Sequence, residues 1–387
     1  MKDGLTRSGA VRNPSVDLLK IIAFFLVVSV HFTHQTGIGT EIHSGKAMFA
    51  LDVLFAFGNT CVALFLMATG WVMTNKKLSG PYYKGLIRIS VIYVLCSVFC
   101  TACKVIFYAY PNTVATYVKH ILHFEGSDYA WYVEMYVCLF LLIPFLNAAY
   151  HALDTRKKKT VLIITMLVLT AIPGVLNTFN LSDPSWWASP VSSREYSKIF
   201  PTFFTSLYPV TYFFLGSYLR EFPPKIKKRW LFLAWVGFGL FGGAYNFWRF
   251  RGGNFFWGEF MTNASILVAL IAVPFFALIT SLDLTRLPGR IKKALSLLSR
   301  WTYGAFLVSA IVDMRFYPHF KRWFEGVPKR LLAEPIAVLT VALISLAISA
   351  VIDTVYTFAE SGVAYLINKR KREAVSPTGK RTPKVKK

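Results

Sequence analysis

Acidic side chains are scarce. Asp and Glu number 19, and all charged residues make up only 16% of the 387 residues, against about 25% in an ordinary soluble domain. A chain this poor in charge cannot clothe a water-soluble surface, which excludes a typical cytosolic enzyme and a disordered regulator. Cysteine is also sparse, with 5 in all. Cys61, Cys96, Cys100, Cys103 and Cys138 all fall inside apolar segments, so a secreted disulfide scaffold is excluded too. Cys96, Cys100 and Cys103 share one helix face, but no histidine or paired Cys-x-x-Cys unit accompanies them. They read as small buried hydrophobes, and no metal is expected. No polar stretch long enough for a soluble domain separates the apolar runs.

What is present is hydrophobic surface and positive charge. Hydrophobic residues make up 55% of the chain, and 43 Lys and Arg give a net charge of +24; mean hydropathy is +0.48. The basic residues stand in short clusters between long apolar runs, a membrane pattern rather than a nucleic-acid footprint. A transmembrane helix needs about 20 apolar residues. Ten stretches qualify: 16–36, 48–74, 86–109, 129–150, 160–179, 201–219, 230–248, 260–281, 295–314 and 333–366. The expected fold is all-α, a polytopic membrane bundle of about ten helices. The organisation is a short N-terminal segment (1–15), a membrane domain (16–366) and a basic, disordered tail (367–387). With the N-terminus inside, 31 Lys and Arg fall on cytoplasmic segments and 11 on the opposite ones, which places both termini in the cytoplasm. The first apolar stretch lacks a small-residue cleavage site and is expected to stay as a helix. Trp186 and Trp187 in the loop 181–200 are expected to anchor at the membrane interface.

Ionisable groups inside spans are costly and usually functional. Asp17, Lys20, His31, His34 and Gln35 fall on one helical stripe about 100° wide. Lys20 and His31 are separated by about 16 Å along the axis, so one face joins an inner cation to a deep imidazole. His31 is read as general base or acyl relay, because histidine exchanges protons near neutrality; the plain alternative is a packing histidine. Asp17 pairs with Lys20 or takes part in catalysis. Glu134, near the outer end of the fourth stretch, is expected to orient a sugar hydroxyl or to face water. Asn59 reads as helix–helix glue, and Asp313 as a solvated residue at a span end. Lys84 and Arg88, at i and i+4 by the inner mouth of the third span, set topology or clamp a phosphorylated donor.

The run Ser15-Val16-Asp17-Leu18-Leu19-Lys20 followed by Val28-Ser29-Val30-His31 resembles the opening of the acyltransferase 3 family of integral membrane proteins. Phe65 to Trp71, Tyr82-Tyr83-Lys84 to Arg88, Trp131-Tyr132 to Leu146, and Thr302-Tyr303-Gly304-Ala305-Phe306-Leu307 resemble later segments of that family in the same order. The resemblance implies transfer of an acyl group, usually acetyl, from cytoplasmic acyl-CoA to a hydroxyl of a glycan or lipid-linked sugar. It implies His31 as the catalytic residue, with Asp17 supporting Lys20. It also implies Lys20, Lys84 and Arg88 on the phosphates of coenzyme A, with Glu134 and His34 toward the acceptor. The expected partners are the lipid bilayer, acetyl-CoA, the glycan acceptor and an envelope-assembly protein; nucleic acid is not among them. The expected location is a bacterial plasma membrane. Two positions depart from the family pattern: Gly85 stands where the first basic residue of a pair is usual, and Ser309 where a late histidine is common. The rival reading is a transporter or exporter of a lipid-linked or small polar solute.

Overall fold

A computed structural model describes residues 12–111, 113–256 and 260–375. The described residues form fourteen α-helices. The first seven are α1 (Pro14–Thr36), α2 (Gly45–Gly58), α3 (Cys61–Met73), α4 (Gly80–Tyr108), α5 (Val114–Leu122), α6 (Trp131–Ala152) and α7 (Arg156–Thr170). The rest are α8 (Pro173–Leu176), α9 (Tyr208–Glu221), α10 (Lys228–Phe250), α11 (Ile266–Thr280), α12 (Gly289–Trp323), α13 (Val327–Leu332) and α14 (Glu334–Val375). About three quarters of the chain is helical, and the described residues form no strand.

Helix starts follow local chemistry. Asn13 accepts from Ser15 N–H at 2.9 Å, with Pro14 in the first helical position of α1. Ser79 caps α4 ahead of Pro81, and Thr155 caps α7. These side chains satisfy backbone donors that a helix start leaves free. α1 stops at Gly37, whose φ of +147° few other residues adopt.

Among the described residues, eight helical segments are long and apolar enough to cross a membrane. α9 and α11 are shorter, at 14 and 15 residues, or about 21–23 Å; two of the ten expected spans are therefore less than full length. The stretch 48–74 is two helices, broken at Asn59 and Thr60. The Asn59 side-chain amide donates to the Met261 carbonyl at the break, a glue role across elements as expected. The stretch 295–314 extends in both directions into the 35-residue α12. Helix α14 runs on to Val375, so the expected tail is helical over 367–375; its remainder, like residues 1–11, lies outside the described residues.

Side-chain contacts fix the directions of the helices. Arg12 reaches Ser296 O, and His31 faces Asp313, so α1 and α12 run parallel. Arg88 on α4 and Arg300 on α12 both reach Asp353, while Ser29 on α1 meets Glu334; α14 therefore runs back antiparallel to all three. The bundle has a basic end, carrying Arg12, Lys20, Arg88 and Arg300, and a far end, carrying His31, Asp313 and the long loops. Helix α1 is central and packs against α2, α3, α11, α12 and α14.

Glycines permit the closest crossings. A Cβ on Gly70 would lie 2.0 Å from the Phe213 carbonyl oxygen, and one on Gly216 would lie 1.9 Å from that of Met67. Helices α3 and α9 thus meet backbone to backbone, as small residues allow in membranes. Apolar side chains on α4, α6 and α10, such as Val91, Leu142, Phe145 and Phe241, point outward and stay exposed, as lipid-facing residues do.

The loop between α8 and α9 corrects one expectation. Trp187 is 47% exposed, but Trp186 is buried at 1%. Its ring, with Phe179, Tyr196, Tyr245, Trp248 and Phe260, surrounds the fully buried guanidinium of Arg249 at 3.8–6.0 Å. Arg249 donates to Tyr245 Oη at 2.8 Å and to Thr178 Oγ1 at 3.1 Å, and also to the Thr178 carbonyl. Trp186 ties this loop to α10 through a cation rather than through lipid. Asp183 starts the same loop's short 3-10 turn; Ser185 hydroxyl and N–H bonds hold its carboxyl below the usual carboxylate range.

Candidate active site

Near the far end of α1, His31 lies against groups from two other elements. Its ring stacks on Tyr129 with centroids 3.8 Å apart. Its Nδ1 stands 3.4 Å from Asp313 Oδ2, close enough for an ion pair but not aligned as a hydrogen bond. Tyr129 donates its hydroxyl to the same Asp313 oxygen at 2.7 Å. The Asp313 side chain is 1% exposed and that of His31 13%. The expectation of a solvated Asp313 is therefore corrected: α12 carries it inward to face α1. An imidazole with Nδ1 beside a carboxylate is oriented to use Nε2 for proton transfer.

His34, one turn on, packs edge-on against Phe55 at 5.5 Å and near Phe255 at 6.0 Å. A second buried polar group lies beyond these rings. Asp52 Oδ1 is 3.2 Å from His43 Nε2 and accepts from Asn246 Nδ2 at 2.6 Å, with all three residues fully buried.

At the basic end, Asp17 is gripped by Arg12 in a two-pronged contact of 2.7 and 2.8 Å. Its expected pairing with Lys20 is replaced by this bond. Asp17 is also about 21 Å from His31 along the helix, so the structure does not bring the two together. Lys20, half-buried, instead lines a cavity of about 240 Å³. Arg88 and Arg300 also line it, with Tyr132, Tyr136, Tyr303 and Phe306 among its walls. Arg88 donates to Asp353 Oδ1 at 2.5 Å, and Arg300 pairs with Oδ2. Lys84 is exposed and does not line the cavity. Glu134 is exposed in the first turn of α6 and does not line the cavity.

The cavity points from the cations toward the histidine. Tyr132 and Phe306 at its wall lie 5.5 Å apart, and Phe306 is 5.9 Å from Tyr129, the ring stacked on His31. Val27, another lining residue, is one turn before His31 on the same face. The sequence pattern does not single out Tyr129, Arg300 or Asp353 as site residues, and it reads Asp313 as solvated. Asp353 carried a usable signal, being an ionisable residue deep in an apolar stretch.

A polytopic helical bundle with an oriented intramembrane histidine and a cation-lined cavity defines a multi-pass membrane enzyme architecture. A family model described as an acyltransferase domain matches residues 13–354. The chain belongs to the acyltransferase 3 family and is a membrane acyltransferase. No curated protein and no solved structure gives a significant match.

Proposed function

We propose that this protein transfers an acetyl group from cytoplasmic acetyl-CoA to a hydroxyl of a cell-surface glycan or lipid-linked sugar in a bacterial plasma membrane. The observation that carries this reading is the cavity itself. Its lining runs from Lys20, Arg88 and Arg300 to Tyr132 and Phe306; Phe306 neighbours Tyr129, the ring stacked on His31. Coenzyme A has phosphates at one end and a thioester on a long, thin pantetheine arm. Cations suit the first and a narrow apolar channel suits the second.

On this reading the basic end faces the cytoplasm, consistent with its excess of Lys and Arg. Lys20 and Arg88 hold donor phosphates. His31 Nε2 takes the proton of the acceptor hydroxyl as the oxygen attacks the thioester carbonyl. The C–S bond breaks, and the thiolate of coenzyme A leaves and is protonated. Asp313 faces Nδ1 and steadies the imidazolium as it forms, while Tyr129 fixes the carboxylate and the ring. His34 lines the acceptor side; Asp17 acts only by holding Arg12 at the basic end.

The test is acetyl transfer by the purified full chain in lipid vesicles, supplied with acetyl-CoA and envelope glycans. His31→Ala is expected to abolish transfer while retaining the thermal stabilisation that acetyl-CoA gives. An active His31→Ala enzyme, or a folded wild-type protein that acetyl-CoA does not stabilise, would overturn the reading; the second outcome favours a solute transporter. A labelled acetyl group trapped on His31 without acceptor would replace general-base catalysis by a covalent acyl-histidine.

A further inference from the structure

The cavity lining contains three cations, Lys20, Arg88 and Arg300, and no carboxylate. Among the described residues, the acid that pairs with Arg88 and Arg300 is Asp353 on α14, whose side chain is 4% exposed. Its two oxygens are divided: Oδ1 accepts from Arg88 at 2.5 Å, and Oδ2 takes Arg300 together with Trp301 Nε1 at 3.3 Å. Asp17 is not available to Lys20 in the same way, because Arg12 occupies both of its oxygens. Three positive charges against one negative leave a surplus of two. The Arg88 and Arg300 side chains remain 38% and 36% exposed, so both guanidinium groups are reachable from outside although their shared counter-ion is not. A cavity where cations outnumber carboxylates, with guanidinium groups still open to solvent, suits a phosphate monoester or a diphosphate.

We propose that Arg300 binds donor phosphate beside Arg88, and that Asp353 is a positioning residue, an internal anion that competes with that phosphate for both guanidinium groups. The identity of the ligand as coenzyme A rests on the function proposed above; its charge and chemical class do not. In the empty protein Asp353 holds the two arginines apart, one on each oxygen. When phosphate arrives, each arginine has donors left over after its single contact with the carboxylate, since a guanidinium carries five N–H groups. The phosphate is gripped by the remaining donors, by Lys20, and by any donor that lets go of Asp353. Arg300 thereby fills the role that Gly85 leaves vacant in the family's basic pair on the third helix.

The test is isothermal titration of the detergent-solubilised full chain with two probes, inorganic pyrophosphate and coenzyme A. It is paired with initial rates of transfer at varied acetyl-CoA. Arg300→Ala is expected to weaken both probes at least 10-fold and to raise the KM for acetyl-CoA by the same factor, with kcat unchanged. Arg300→Lys should recover part of the loss. Asp353→Asn removes the competing charge, so it should tighten both probes several-fold and lower KM, while lowering the thermal midpoint of the ligand-free protein. Wild-type affinities in Arg300→Ala would overturn the phosphate role. If Asp353→Asn weakens both probes as Arg300→Ala does, Asp353 is only a structural tie between helices and the competition is refuted. Should Asp353→Asn fail to fold, the Arg300 pair of variants decides the phosphate role alone. A third pattern separates this inference from the function proposed above: pyrophosphate binding that depends on Arg300, with coenzyme A binding no tighter, leaves the anion site standing and removes the acyl-CoA reading. A folded wild-type protein that binds neither probe overturns both.

Discussion

At the basic end, Arg88 and Arg300 share the Asp353 carboxylate, and Lys20 lines the same cavity. At the far end, three ionisable groups face partners of their own: His31 faces Asp313, His43 faces Asp52, and Arg249 meets six aromatic rings and makes three hydrogen bonds. The difference teaches which part of the bundle is built to receive charge and which to hold still. An under-compensated cation cluster beside a cavity gains from an incoming anion. A cluster whose charges already face partners gains less from one, but holds its members in place. Preorganised groups of this second kind suit proton transfer, where a misplaced imidazole is costly.

The comparison predicts a hierarchy of effects. The largest belongs to the far end: Asp313→Asn should lower kcat about 10²–10³-fold, in the range of general acid–base contributions, with the KM for acetyl-CoA unchanged. A KM change without a kcat change would move Asp313 out of the catalytic machinery; initial-rate kinetics decide. Next, Arg88→Ala should raise that KM by about 10-fold, the scale of one lost charge-assisted contact, and leave kcat alone. Arg249→Ala should act on stability only. Emptying a full aromatic cage is expected to cost about 2–5 kcal/mol, read as a lower thermal midpoint with transfer retained at low temperature; unchanged stability would show that the rings do not depend on the cation. Gly70→Ala drives a Cβ into the Phe213 carbonyl. Overpacking of this kind costs about 1–3 kcal/mol, again seen in thermal unfolding, and more here if backbone cannot shift. The smallest effect is expected at Lys84→Ala. This side chain is exposed and outside the cavity, so KM should stay within about 2-fold, the scale of an exposed charge. A large rise would put the donor mouth further toward the start of α4.

Long apolar runs made the helices legible, because burial in lipid demands both apolar side chains and internally bonded backbone. All ten stretches contain helix. Their lengths were less legible. The break at Asn59 depends on a partner 202 residues away, Met261, and the shortness of α9 and α11 has no marker in hydropathy. His31, Lys20 and Arg88 were visible because each is a polar group in or beside an apolar run. Asp313 was misplaced as solvated because hydropathy locates a residue along a helix but not which neighbour its face meets. Trp186 was misread for the same reason: its binding to Arg249 joins two segments far apart in the chain. Lys84 looked equivalent to Arg88 by spacing, yet only Arg88 turns toward α14 and Asp353.

The tie from Arg88 and Arg300 to Asp353 has a consequence for biogenesis. Asp353 belongs to α14, which leaves the ribosome after α4 and α12. Ser349, one turn earlier, also donates to the Trp301 carbonyl at 2.7 Å. Until that helix inserts, the two arginines lack their counter-ion and the wall between α4 and α12 lacks its last member. Chains emerge N-terminus first, so every shorter nascent chain carries the histidine but not the finished cation site. Insertion of α14 therefore completes the site: a chain stopped after residue 333 should reach the membrane yet give no coenzyme A-dependent stabilisation, and such stabilisation in that truncated chain would refute the dependence.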